Sequence, residues 1–209
     1  GGAVVLGVAL WMWMKHDGTA DAPMYRSAVK VGSVFTVIAS LLVIITGDLQ
    51  GKIMTEVQPM KMAAAEALYT SEDNAGFSIF TIGALDGSKE VFSIKVPGLL
   101  SFLATGDFGA KVEGIKELEA KAKELPAKVE AQYGPEVAKL ATADSYTPNI
   151  PMSYWSFRLM MGLGFLSTLF GIMAWMAARK EKAPSGGLWR QIAIWTPLPP
   201  VIAISFGWI

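Results

Sequence analysis

Residues 153–178 read SYWSFRLMMGLGFLSTLFGIMAWMAA, an apolar run long enough to decide the fold class. A helix needs about 20 mostly apolar residues to cross a hydrocarbon core of about 30 Å. This run exceeds that length with a single charge, Arg158, near its start. Further apolar runs occupy residues 1–14, 31–46 and 188–209, and the second of these reaches spanning length with help from its flanks. No initiator Met or basic segment precedes residues 1–14, and the sequence stops at Ile209 inside an apolar stretch, so the expectation is a piece cut from a longer membrane protein. Composition agrees: 52% of residues are hydrophobic and 17% charged, too apolar for an ordinary soluble domain.

The expected fold is an all-α transmembrane bundle with spans at 1–14, 31–46, 153–178 and 191–209, the first and last truncated. The short connections, 15–30 and 179–190, then lie on one side. They carry Lys15, Arg26 and Lys30, and Arg179, Lys180, Lys182 and Arg190. Short loops rich in Lys and Arg are retained in the cytoplasm, which leaves the long connection 47–152 outside.

A connection of that length is too long to be passive. Its first half holds two extended, β-branched and aromatic patches, Phe77–Phe80 and Val91–Pro97, with Gly and Asp between them. Its second half, residues 111–140, alternates Lys and Glu with Ala and Leu and is broken by Pro126 and Pro135. That pattern predicts short solvated helices with no chemistry of their own. Eighteen Lys and Arg balance eighteen Asp and Glu without a basic face, which argues against nucleic acid as a partner. The absence of cysteine removes disulfides and thiolate chemistry.

Few residues in this pattern can carry chemistry. Arg158 lies about two turns into an apolar helix, where it either snorkels to the headgroups or serves as a fixed cation for a buried anion. Met160 and Met161 are by default core filling, although a methionine sulfur can also be an axial haem ligand. Gly162 and Gly164 leave that helix surface open to a neighbouring helix or a flat macrocycle. In the long connection, Pro59 suits the first position of a helix. Lys61 and Glu66 then lie about 140° apart around it, too far for an i,i+4 pair. They read either as two solvated charges or as groups approaching one ligand, with Glu66 accepting a proton and Lys61 or Gln58 donating to a quinone-type oxygen. His16, the single histidine, reads as an exposed loop residue. No phosphate-binding loop or hydrolase triad is visible.

Taken in order, these residues resemble a known family. Gly47-Asp48, Gln58, Lys61 and Ala63-Ala64-Ala65-Glu66 look like the start of the quinol-binding loop of cytochrome bd oxidase subunit I. Ser156-Phe157-Arg158-Leu159-Met160 with Gly162 and Gly164 looks like that family's haem-ligand helix. Pro197-Leu198-Pro199 and Gly207-Trp208 look like the helix leading to its terminal motif. The resemblance implies a respiratory oxidase in a prokaryotic cell membrane that takes electrons from membrane quinol, reduces oxygen to water and builds a proton gradient. It implies that Met160 is an axial ligand of the low-spin b haem, with Arg158 beside that haem. It likewise implies that Lys61 and Glu66 bind and deprotonate quinol, with Gln58 and Phe77 in the same site, and that Glu90 stands near a further acidic loop position.

The resemblance also places several parts outside these residues: a histidine as second ligand of the low-spin haem upstream of Gly1, the ligands of a high-spin b haem and haem d, and a Gly-Arg-Gln-Pro-Trp motif after Ile209. Expected partners are a second subunit, a small accessory subunit and the lipid bilayer. The rather short external segment implies a short-loop branch. Two other classes compete: a non-enzymatic receptor or scaffold whose external segment binds a protein and whose Met160 only packs, and a transporter. The second is disfavoured, because the complete spans carry little polarity beyond Ser, Thr and Arg158.

Overall fold

Two helices set the frame, α2 (Ala22–Val57) and α8 (Ile150–Ala177). Each is long and apolar enough to cross a membrane, yet only 22% and 17% of their most apolar stretches are buried. The core helix of a soluble protein would be mostly buried, so such exposed apolar faces suit lipid or further helices. The computed structural model describes residues 1–83, 89–140, 142 and 145–208. These form two units, Gly1–Thr46 with Arg158–Ile209, and Gly47–Phe157.

In the first unit, α1 (Gly2–Lys15), α9 (Gly187–Trp195) and α10 (Leu198–Gly207) join the membrane-length parts of α2 and α8. Small residues bring backbones together, as expected where apolar helices have no water to drive them. A Cβ on Gly32 would fall 2.8 Å from Leu6 N, and one on Gly7 would fall 2.7 Å from Ala193 O, so α1 can approach α2 and α9 closely only because these positions are glycine. Leu6, Leu10, Trp13 and Val29 fill the resulting core. Arg26 donates to the carbonyls of Ala178 (2.9 Å) and Arg179 (3.2 Å), satisfying carbonyls left open where α8 ends.

Three details differ from the sequence reading. The second helix is longer than 31–46 at both ends. The expected last span, 191–209, is divided: α9 stops at Trp195 and α10 starts at Leu198, because Pro197 offers no N–H and its ring obstructs the preceding turn. His16 is half-buried, its Nδ1 bonded to Met12 O at 2.9 Å and its ring 5.2 Å from that of Tyr25.

The second unit is a packed domain. Helix α2 ends at Val57 because the residue before a proline avoids the helical region; Gln58 adopts φ −135°, ψ 59°, and α3 (Pro59–Glu66) begins beyond it. Strand β1 (Glu72–Asp73) pairs antiparallel with β4 (Lys111–Val112), and β2 (Phe77–Gly83) pairs antiparallel with β3 (Glu90–Val96). Helix α4 (Leu99–Thr105) follows the hairpin, and α5 (Ile115–Lys123), α6 (Leu125–Tyr133) and α7 (Pro135–Leu140) follow β4. The core gathers Met62, Ala63, Ala64, Leu68, Leu100, Leu118 and Tyr154. Helix α5 buries Ile115 and Leu118 there, whereas α6 buries nothing. Residues 111–140 thus combine one docked helix with solvated ones.

Candidate functional site

Within the loop domain, Glu66 closes an alanine-rich helix. Ala63, Ala64 and Ala65 have no bulk to hold neighbours away, so α3 sinks into the core and carries Glu66 to 3% exposure. A buried carboxyl is costly unless its surroundings compensate, which distinguishes Glu66 from the solvated acids of residues 111–140. Lys61, on the same helix, is exposed, as is Gln58 at its N-cap. Phe77 is half-buried and packs on the core that surrounds α3. The domain therefore holds the four expected loop residues on one helix and the adjoining strand, with the acid inside and Lys61 and Gln58 outside.

Glu90 is engaged elsewhere. Its carboxylate lies 2.9 Å from Lys95 Nζ, which is also 3.6 Å from Glu72. Burial disfavours the charged form of Lys95, but the hydrogen bond to Glu90 and the charges of Glu72 and Glu90 outweigh it and raise its pKa.

The sequence reading passed over a line of buried hydroxyls. Tyr154 OH lies 2.8 Å from Ser78 Oγ, which lies 2.5 Å from Thr81 Oγ1, itself 2.6 Å from Ser93 Oγ. Ser78 and Thr81 are three apart in a strand, so simple alternation would place them on opposite faces. A register shift between Ser78 and Phe80 turns both inward, and nothing in the sequence announces it.

In the first unit, Met160 and Arg158 are both half-buried on α8. Two helical residues two apart point roughly 200° from each other, so a group touching both would need the long Arg158 side chain to reach round. A Cβ on Gly162 or Gly164 would meet nothing within 4 Å. Gly164 is one turn beyond Met160 on the same face and is open, whereas Gly162 lies on the opposite face, so Met160 supplies a soft, neutral sulfur one turn from an open helix surface. That donor and that open surface fit a haem held by a methionine axial ligand.

Membrane-length helices joined to a packed loop domain with a buried acid define a helical membrane-protein class. The chain belongs to the cytochrome bd terminal oxidase subunit I family, whose description matches residues 1–209. It is 30% identical over 210 residues to cytochrome bd ubiquinol oxidase subunit 1 of Bacillus subtilis (strain 168), covering all of this chain and 41% of that protein. It is 25% identical over 250 residues to cytochrome bd-II ubiquinol oxidase subunit 1 of Escherichia coli (strain K12), covering all of this chain and 48% of that one. The solved structure of bd oxidase from Geobacillus thermodenitrificans shares the fold, with a TM-score of 0.72 at 20% identity over 99% of this chain and 41% of that one. The chain spans less than half the length of these relatives.

Proposed function

We propose that this chain is the quinol-oxidising and low-spin-haem portion of a respiratory terminal oxidase of a prokaryotic cell membrane. Quinol binds at segment 47–152 on the external face, Glu66 takes its proton, and Lys61 and Gln58 donate hydrogen bonds to its oxygens, with Phe77 against the ring. The observation that carries the reading is the burial of Glu66, while every other acid among the described residues of that domain is at least partly exposed. A titratable group withdrawn from water beside a binding segment is the expected arrangement for proton chemistry.

Met160 is the proposed axial ligand and Arg158 the fixed cation for a propionate. A haem held there would supply one-electron transfer, and the Met160 thioether would favour its reduced state. A histidine beyond these residues completes that haem's coordination, and a high-spin b haem and haem d are held elsewhere in the full-length subunit, where oxygen is reduced to water. A second subunit and a small accessory subunit complete the assembly. Protons released at the external face contribute to the membrane gradient.

The proposed topology follows the sequence reading, with 15–30 and 179–190 cytoplasmic. Segment 47–152 is assigned to a short-loop branch on its length alone. Replacing Glu66 by Ala in the full-length subunit tests the reading: quinol turnover falls and its pH profile changes. Turnover and profile both unaltered would contradict it.

A further inference from the structure

The four hydroxyls of Tyr154, Ser78, Thr81 and Ser93 form an unbroken hydrogen-bonded line. Tyr154, Ser78 and Thr81 are at most 2% exposed, whereas Ser93 is half-exposed. Tyr154 shares its core cluster with Met62, Ala63 and Leu68, which flank Glu66. The line therefore begins in the core cluster to which α3, the helix that carries Glu66, contributes, and ends where water can reach it.

A hydroxyl can donate and accept at once, and in each of these three contacts either oxygen could be the donor. The line can thus be polarised in both directions, which is the requirement for relaying a proton. Packing alone asks for no such continuity: an apolar residue in place of each hydroxyl would avoid the cost of burying it.

We propose that this line is a proton path from the quinol-binding core to the external surface. The proposal rests on the quinol-oxidation reading above. Quinol becoming quinone releases two electrons, which a b haem would take singly in two successive steps, and two protons, which travel one at a time. A proton reaching the Tyr154 oxygen displaces that hydroxyl's own proton to Ser78. Ser78 passes its proton to Thr81, Thr81 to Ser93, and Ser93 to water. Every oxygen ends with one proton, and rotation about the C–O bonds resets the line. Glu66, at 3% exposure, has little direct access to solvent, and the path supplies an exit.

The test uses the full-length oxidase in its native assembly, with quinol turnover measured in H2O and D2O and the haem spectrum as control for folding. Thr81→Val removes the central hydroxyl with little change of shape. It is expected to lower kcat on the order of tenfold with KM for quinol unchanged and to enlarge the solvent isotope effect, while Thr81→Ser restores both. Ser93→Ala, at the accessible end, shows the same signature and decides the matter if Thr81→Val fails to assemble. Normal turnover and isotope effect in these variants would overturn the path alone. Absence of quinol turnover in the unsubstituted protein would overturn the quinol reading and the path with it.

Discussion

Met160 and Gly207 face each other across α8 and α10: a Cβ built on Gly207 would lie 3.1 Å from the Met160 sulfur. Gly207 therefore governs where that sulfur can sit. Because the contact is with the end of a flexible side chain, Gly207→Ala is expected to cost only about 1 kcal/mol of stability. Displacing an axial ligand has a larger consequence than displacing a packing group. The low-spin haem band should shift or weaken in a reduced-minus-oxidised spectrum of the full-length subunit, while thermal stability stays nearly unchanged.

Glu66→Gln keeps the shape of the side chain and removes its ability to take a proton. We expect quinol turnover to fall on the order of a hundredfold, the usual scale for a lost general base. A carboxylate acceptor works only when ionised, so the wild-type rate declines towards acid pH. The variant should lack that limb, which pH-rate profiles of the two proteins would reveal.

Gly114, in extended backbone just before α5, lies against the backbone of Thr70 and Ser71. A Cβ there would meet the backbone of Thr70 at 2.2 Å and of Ser71 at 2.6 Å, and neither can rotate away. Gly114→Ala should destabilise the domain by about 3 kcal/mol or more. Limited proteolysis of membranes would detect this as faster cleavage within 47–152.

Lys95 links Glu90 and Glu72 and has a raised pKa. Such a group stabilises the fold fully below its ordinary value of 10.5 and loses that contribution as pH rises through the higher folded value. All three side chains are partly exposed, so Lys95→Met should cost only about 0.2–1 kcal/mol. The difference from wild type should vanish in strongly alkaline solution, as read by thermal melts across pH.

Much of this architecture was legible. The run 153–178 announces a helix because nothing else buries its backbone so fully in lipid, and Pro59 marks the start of α3 by its fixed φ. The extended patches at 77–80 and 91–97 became the β2–β3 hairpin. Less legible was whatever depends on tertiary contact. Glu66 looks in sequence like any acid at the end of a short alanine-rich helix, and only the packing of α3 buries it. The inward turn of both Ser78 and Thr81 comes from a bulge that alternation cannot reveal. Pro197 was visible as a marker, but its interruption of the last helix was not drawn from it.

The most direct test is the reduced-minus-oxidised absorption spectrum of membranes carrying the full-length subunit, with and without Met160→Leu. Leucine keeps the apolar volume of methionine and removes its sulfur. The account predicts loss of the low-spin b-haem band with the other haem bands retained. Low-spin bands unchanged by the substitution would make Met160 a packing residue and contradict it.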